Sequence, residues 1–454
     1  HGRTHRRRQR RKQQHHNHHH QHGAGTSSRG RPCTDSAWAE LRGWCKARGM
    51  AKTKLTLAYF PDTFRGMMAT RGIGRGEDII RVPEQLLMTA SKVRRRTTHQ
   101  AAACGGSALR WTLSEHQSLV YWLCGEAGRR AASEWASYIG SLPRDFGSVP
   151  LYALSGEGPS SSVAAGSPEA RWVAAHLPRP MRLRLAAQQA RLFADWSATA
   201  AFLAAAGLAP LRGWRLYVWA WLAVNTRCIH LGAAAASQTS AGTAQGRPAA
   251  SGAGAGADTM ALAPVLDFLN HSETADVETH FDQRTGHFVI RTQRAFARGQ
   301  EVFISYGPHD NRFMLLEYGF VLARNPFQVL ELDDAVSAWV AAAEARLLAA
   351  RPAAALMRPD GLRRLVDTLR QHGLWGDFTI SLDDLEPSYR LQAALRLLLA
   401  AEQRGATAKG AIARWERWRR GGPTEDAEGA ENAAVRAWVE AVCARLAAEA
   451  ERML

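Results

Sequence analysis

The sequence has few cysteines, and no two of them lie at a metal-binding spacing. Six cysteines are spread over 454 residues without a Cys-x-x-Cys pair. They are Cys33, Cys45, Cys104, Cys124, Cys228 and Cys443. This scatter argues against a zinc motif and against a disulfide framework. We therefore expect reduced thiols in an intracellular compartment and no metal site.

Long apolar runs are also absent. A helix that crosses a membrane needs about 20 consecutive apolar residues, whereas the short apolar run at residues 219–224 is followed directly by Asn-Thr-Arg. The sequence therefore predicts a soluble protein with no membrane partner. Its 454 residues are enough for two or three domains.

Acidic residues are missing from the N-terminal arm, residues 1–34, which carries nine Lys and Arg and is rich in His. The chain has a formal net charge of +17, so about half of the excess positive charge lies in this arm. We expect a disordered arm that acts as a nuclear-localisation patch, a nucleic-acid contact or a solvated tail. An organelle transit peptide fits less well, because the arm has no apolar face.

Polar groups end two apolar segments between residues 263 and 320. Residues 263–272 read A-P-V-L-D-F-L-N-H-S, with Asn270 and His271 after the apolar run. Residues 302–311 read V-F-I-S-Y-G-P-H-D-N, with Tyr306 in the same position relative to its run. Polar groups placed in this way are typical of a ligand pocket.

Four more side chains are candidates for this pocket. If residues 265–269 form a strand, alternation places Asp267 on the same face as Leu269. Tyr318 and Phe320 offer rigid aromatic walls, and ordinary core packing is the alternative for both. Arg227 follows the apolar helical pattern of residues 214–224, where its charge needs an anionic or carbonyl partner. A structural salt bridge is the alternative for Arg227.

The motifs N-H-S, S-Y-G and E-Y-G-F, in this order, resemble the SET-domain methyltransferases. They are most similar to the class that includes the plant Rubisco large-subunit lysine methyltransferase, and within it to the SET-domain-containing protein four type. Residues 135–143, W-A-S-Y-I-G-S-L-P, resemble a further motif of the class. The family's Gly-Arg-Gly is matched by Arg65 and Gly66, but Phe64 stands at the first glycine.

The resemblance implies an α+β fold. Residues 35–325 would form a SET domain of short, mostly antiparallel strands, with a helical insert at about 156–230. The composition of residues 232–258, nearly all Ala, Gly, Ser, Thr and Gln, predicts a flexible loop within this domain. Residues 326–454 would form an all-α C-terminal domain that binds the protein substrate.

The resemblance also implies a reaction, which is protein-lysine N-methylation with S-adenosyl-L-methionine as the cofactor. Tyr306 would be the catalytic residue. The implied cofactor-binding residues are Arg65, Gly66, Met67, Arg227, Asp267, Asn270, His271, Tyr306, Tyr318 and Phe320. The implied partner is a protein substrate, either a histone tail or another lysine-containing protein. We expect a monomer in the nucleus, the cytoplasm or both.

Three alternatives remain at this point. A related branch methylates a histidine in actin, but it has an Asn where this sequence has Ile229, two residues after Arg227. A non-catalytic binding module could keep the SET shape, and loss of Asn270, His271 or Tyr306 would have indicated it. A nucleic-acid binder would depend on the arm alone, and its affinity would fall steeply with salt.

Overall fold

The computed structural model of the protein describes residues 29–103, 111–156, 168–231, 260–349, 359–400, 407–420 and 427–452. The predictions for arm residues 1–28 and for the loop at 232–258 concern residues outside these ranges. The chain divides into two compact units after Arg324. Within the described ranges, no helix combines the length and the apolar character that crossing a membrane requires.

The first unit contains the β-structure expected for the α+β fold. Its strands in the described residues are β1 (Arg31–Pro32), β2 (Leu55–Phe60), β3 (Phe64–Ala69), β4 (Asp78–Pro83), β5 (Met88–Thr89), β6 (Ile229–His230), β7 (Met260–Leu262), β8 (Asn270–His271), β9 (Val277–Asp282), β10 (His287–Thr292) and β11 (Glu301–Ile304). They form sheets of order β1-β2-β3-β11-β8, β4-β10-β9 and β5-β7-β6. Every pairing is antiparallel except that of β11 with β8. The prediction of short, mostly antiparallel strands is therefore confirmed.

The first unit also contains helices. They are α1 (Ser36–Ala47), α2 (Ala90–Ala103), α3 (Glu115–Arg129), α4 (Ala136–Ser141), α5 (Pro150–Leu154), α6 (Pro168–His176), α7 (Arg179–Ala205) and α8 (Trp214–Arg227), followed by the single turn α9 (Asn311–Phe313). The first turn of α3 is fixed by a capping box, in which the Ser114 side chain accepts from the Gln117 backbone and the Gln117 side chain accepts from the Ser114 backbone. Helix α8 is apolar on most sides and lies in the core, where Tyr217 and Trp221 have no exposed surface.

Trp219 of α8 is half-buried against the core, and its indole N–H donates to the Pro143 carbonyl over 2.8 Å. One detail differs from the sequence-based expectation. The predicted strand at residues 265–269 is wrong, since Leu266–Phe268 is a 3₁₀ turn. Pro264 has no N–H for a strand ladder, and Val265, with a φ of 73°, reverses the chain. Strand alternation therefore does not decide where Asp267 points.

The second unit is helical, as expected. Its helices in the described residues are α10 (Asp333–Ala349), α11 (Pro359–Gln371), α12 (Tyr389–Leu399), α13 (Ala408–Arg419) and α14 (Ala427–Glu451). Its core is centred on α12, where Leu391, Leu395 and Leu398 have no exposed surface. The unit is not purely helical, because β12 (Val329–Glu331) pairs with β13 (Thr379–Ser381) in an antiparallel ladder that the sequence analysis did not predict.

Candidate active site

The parallel pairing of β8 with β11 brings the two polar segment ends together. Asn270 lies opposite Phe303 in the ladder, and His271 lies opposite Ile304. Tyr306 follows β11 by two residues, and its backbone N–H donates to His271 Nδ1 over 3.0 Å. The N-H-S and S-Y-G motifs, far apart in sequence, are therefore adjacent in the fold.

The Tyr306 side chain is directed inward. Its hydroxyl donates to the Leu269 carbonyl over 2.8 Å, so it is not a strand-end tyrosine with its hydroxyl in solvent. Burial raises the pKa of Tyr306 to about 12, with Asp267 and Glu301 adding to the increase and Arg227 opposing it. The phenol is consequently neutral near pH 7, and it acts as a hydrogen-bond donor rather than a base.

Aromatic rings surround Tyr306. The centroid of its ring lies 4.9 Å from that of Tyr318, 5.3 Å from that of His271 and 6.4 Å from that of Phe320. Burial also raises the pKa of Tyr318, so this ring stays neutral. Tyr318 and Phe320 thus both pack beside Tyr306, and their rings contact one another as well; their role as the wall of a pocket stays a prediction.

His271 has one ring nitrogen left open. Burial lowers the pKa of His271 to about 4, so the imidazole is neutral at physiological pH. Its Nδ1 accepts the hydrogen bond from Tyr306, which puts the ring proton on Nε2. This Nε2 is buried and has no hydrogen-bond partner among the described residues. The arrangement leaves a donor for a ligand.

Asp267 is the buried anion of the site. Its side chain has no exposed surface, and Oδ2 accepts from the Tyr138 hydroxyl over 3.0 Å. The Arg227 guanidinium donates to the Asp267 carbonyl oxygen over 2.7 Å and lies 3.6 Å from Oδ2. Burial raises the pKa of Asp267, while Arg227 and Tyr138 oppose this increase. Arg227 therefore has both kinds of partner that its sequence context demanded, a carboxylate and a carbonyl.

Two cations share one aromatic ring beside this anion. The guanidinium carbons of Arg65 and Arg227 lie 5.1 Å and 5.4 Å from the centroid of Phe268. Arg65 also donates to the Ser141 carbonyl over 3.1 Å, which links β3 to the 135–143 segment. Cation–π contacts of this kind hold a guanidinium in a partly desolvated place. Phe268 and Tyr138 were not among the predicted site residues, although Tyr138 lies in the motif at residues 135–143.

Asn270 connects β8 to β3 and β11. Its amide nitrogen donates to the Arg65 carbonyl over 2.9 Å and to Glu301 Oε1 over 2.8 Å. Glu301 was not a candidate, because an acidic residue after a turn has no distinctive sequence signal. A Cβ at Gly66 would lie 2.1 Å from Glu301 Oε1, so glycine is required here by the protein's own side chains.

The remaining β3 candidates are placed differently from one another. Met67 has no exposed surface and lies between its ladder partners Leu57 and Val302, so only its main chain can serve a ligand. Phe64 is 73% exposed and has a φ of 60°, which is a conformation that glycine adopts freely and other residues rarely adopt. The backbone at this family glycine position thus keeps the glycine conformation despite the side chain.

Tyr318 is held by a π-helical turn, Met314–Tyr318. The carboxylate of Glu317 in this turn accepts from Gln188 of α7 over 2.9 Å and from Asn225 of α8 over 2.8 Å. Gly319, with a φ of 81°, ends the turn where a Cβ would meet Ser148 Oγ at 2.5 Å. Insertions of this type are frequent at functional sites because they redirect single side chains.

The unpartnered polar atoms of the site test whether a polar cofactor fits it. Four buried atoms of these residues lack a hydrogen-bond partner in the part of the chain that the structure describes: Arg65 Nε, Arg227 Nε, Asp267 Oδ1 and His271 Nε2. Three nitrogen donors and one carboxylate acceptor suit a ligand that carries both anionic and cationic groups, as S-adenosylmethionine does. In the same ranges, no group of three or more His, Cys, Asp or Glu side chains is arranged to hold a metal ion.

The comparison with known families agrees with this geometry. The family model described as "SET domain" matches residues 65–307, which is more than half of the chain. The chain therefore belongs to the SET-domain family.

Individual relatives narrow the likeness. SET domain-containing protein 4 of Mus musculus is 32% identical over 378 residues, which is 81% of this chain and 74% of the relative. The Homo sapiens protein of the same name is 30% identical over 377 residues, with the same coverage of 81% and 74%. The ribosomal lysine N-methyltransferase set11 of Schizosaccharomyces pombe is 24% identical and covers 79% of this chain and 74% of its own length.

A solved structure gives the same fold. The SET domain of LSMT bound to lysine and AdoHcy superimposes with a TM-score of 0.53 at 15% identity, covering 85% of this chain and 77% of that one. At this identity the likeness concerns the fold alone.

Proposed function

We propose that the protein is a protein-lysine N-methyltransferase that uses S-adenosyl-L-methionine. The family membership supports the proposal, as does the name of the relative set11, a ribosomal lysine N-methyltransferase. The observation that carries it is the placement of Tyr306, whose hydroxyl meets the Leu269 carbonyl inside an aromatic cluster. When bound, the cofactor supplies an activated methyl group.

The residues at Tyr306 fit the needs of an attacking amine. A lysine amine must enter neutral and be held in line with the methyl group. The Leu269 carbonyl is an acceptor for its N–H groups, and the neutral Tyr306 phenol helps to fix its orientation. The rings of Tyr306, Tyr318 and Phe320 give the lysine stem an apolar, water-poor wall.

A second group of residues holds the cofactor in this proposal. His271 lies against the Tyr306 backbone, Asn270 is its neighbour on β8, and the guanidinium groups of Arg65 and Arg227 lie over the ring of Phe268. Asp267 keeps Arg227 in place through Oδ2, which Tyr138 and Arg227 share, and its unpartnered Oδ1 is the acceptor left for the cofactor. Gly66 and the main chain of Met67 line the β3 side.

The substrate belongs to the proposal as well. We include both histone tails and non-histone proteins as acceptors, and the nucleus and the cytoplasm as sites of action. Methylation of histidine would use the same fold, and amino-acid analysis of the labelled product separates methyl-lysine from methylhistidine.

The test compares cofactor binding with methyl transfer in two tyrosine variants. Tyr306→Phe should bind S-adenosylmethionine with an affinity within a few-fold of that of wild type. Its rate of methyl transfer to a cell extract should fall by about 100-fold or more, as is typical when a positioned group that handles a proton is lost. Tyr217→Phe removes a buried hydroxyl of the insert, bonded to Thr199, and is the matched control.

If Tyr306→Phe transfers methyl groups as fast as wild type, Tyr306 has no catalytic role. A wild-type protein that binds no cofactor at millimolar concentration would instead favour the non-catalytic binding module.

A further inference from the structure

The orientation of the Asn270 carboxamide is fixed by two acceptors. Its nitrogen faces the Arg65 carbonyl at 2.9 Å and Glu301 Oε1 at 2.8 Å, and neither of these oxygens can donate a hydrogen bond when Glu301 is ionised. The nitrogen therefore points toward β3 and β11, and Oδ1 points away from both. No hydrogen bond from the described residues reaches this oxygen, which leaves an acceptor for a ligand.

Glu301 is itself held in place. It is the first residue of β11 and is only 7% exposed, and its second oxygen, Oε2, accepts from the Thr63 hydroxyl over 2.5 Å. Each carboxylate oxygen thus has one donor: Thr63, in the turn before β3, donates to Oε2, and Asn270 of β8 donates to Oε1. A buried carboxylate with two fixed donors holds a single geometry.

Gly66 makes this contact possible. A Cβ at this position would lie 2.1 Å from Glu301 Oε1 and 2.8 Å from Asn270 Nδ2, which is between the two groups that hydrogen-bond. The glycine is therefore needed for the Glu301–Asn270 pair, independently of any approach of the main chain to a cofactor.

We propose that Glu301 is a positioning residue that turns the Asn270 carboxamide oxygen toward the ammonium group of the cofactor's amino-acid end. The inference depends on the proposed function, because it assigns a cofactor group to Asn270. An amide oxygen accepts from an ammonium group, and the Glu301 carboxylate behind it adds an attractive charge. Without an acceptor-only group at position 301, the Asn270 carboxamide can rotate and turn its NH₂ group toward the ammonium group. The positive ends of the N–H dipoles then repel the ammonium group.

The charge on Glu301 makes the idea testable by pH. Burial raises the pKa of Glu301 to about 6, the bonds from Thr63 and Asn270 lower it, and the nearby Asp62 raises it. Tyr306 is the other titratable group coupled to Glu301, and it stays neutral across this range. Affinity for a ligand with an ammonium group should therefore fall as the pH is lowered through 6.

The experiment measures two ligands by calorimetry on the full chain at pH 8, 7, 6 and 5. S-Adenosylhomocysteine has the ammonium group, and 5′-methylthioadenosine lacks the whole amino-acid end. Glu301→Ala should bind S-adenosylhomocysteine at least tenfold more weakly at pH 8 and bind 5′-methylthioadenosine like wild type. Glu301→Gln should lose less affinity, because an amide oxygen can still accept from Asn270, and its affinity should not change across pH 6.

Two further variants separate positioning from general damage. Thr63→Val removes a bond that lowers the pKa of Glu301, so the pH midpoint of wild-type affinity should move upward. Glu126→Gln changes another buried glutamate, 5% exposed and bonded to Ser133 and Arg129, and should leave both affinities and the midpoint unchanged.

The outcomes are distinct. Equal loss of both ligands in Glu301→Ala, or an unchanged pH profile in Glu301→Gln, overturns the positioning role while the proposed function stands. Failure of wild type to bind either ligand overturns the proposed function, and the inference about Glu301 with it. A loss confined to S-adenosylhomocysteine, with the shifted midpoint in Thr63→Val, supports the inference.

Discussion

The variant Phe64→Gly should be more stable than Phe64→Ala, because the backbone at position 64 is in a conformation that favours glycine. Phe64 has a φ of 60°, and its side chain is 73% exposed, so the ring contributes little buried area. An L-residue in this left-handed region costs about 1–2 kcal/mol. Glycine removes this cost, but its greater conformational freedom in the unfolded chain destabilises the fold by about 0.5–1 kcal/mol. The net expectation is a gain of about 0.5–1 kcal/mol for Phe64→Gly over Phe64→Ala, since alanine keeps the Cβ.

The assay is equilibrium urea unfolding of both variants, followed by tryptophan fluorescence. Leu183 is the matched control, because it is 58% exposed and lies on α7 with an ordinary helical backbone. There the order must reverse, with Leu183→Ala more stable than Leu183→Gly by about 1 kcal/mol. A Phe64→Gly variant less stable than Phe64→Ala would refute the claim that the backbone at this position is strained.

Three other predictions follow from the site. Gly319→Ala should lower stability by 2 kcal/mol or more and reduce methyl transfer, because its Cβ would press on Ser148 Oγ at 2.5 Å; urea unfolding and a transfer assay measure this. Tyr138→Phe should cost about 1.5–3 kcal/mol at neutral pH by removing a donor from buried Asp267. Because the pKa of Asp267 is raised in the fold, this cost should shrink as the pH falls and the carboxyl is protonated, and an equal cost at pH 4 would contradict the explanation. The pKa of Glu301 is raised from 4.5 in the unfolded chain to about 6 in the fold. Its stabilising contribution is therefore complete below pH 4.5 and is lost as the pH rises through 6, which lowers the free energy of unfolding by about 2 kcal/mol. The difference between the pH profiles of unfolding of wild type and Glu301→Gln measures this contribution.

The sequence was sufficient where neighbouring residues carry the signal. Asn270, His271 and Tyr306 stand at the ends of apolar runs, and the fold brings those runs together as β8 and β11. Arg227 was recognised because a charge after an apolar helical face needs a partner, and it has two. These inferences required only local pattern and the free energy of burying charge.

The sequence was insufficient where a role depends on a distant partner. Tyr138 meets Asp267 across 129 positions, and Thr63 meets Glu301 across 238, so no local pattern marks either pair. The alternation argument for Asp267 was wrong because a single left-handed residue, Val265, turned the chain out of the strand conformation. The glycine at position 66 was noticed, but the groups that demand it were not visible before the fold was known.

The pairing of β3 with β11 also has a consequence for synthesis of the chain. Thr63 and Glu301 are 238 residues apart, which at 5–20 residues per second corresponds to roughly 10–50 s of translation. During that interval β3 can pair with β2, which is complete before it, while its other edge has no partner strand. An open strand edge is prone to pairing with other chains. The pocket therefore forms late, and we expect nascent chains that stop before β11 to aggregate rather than to bind cofactor.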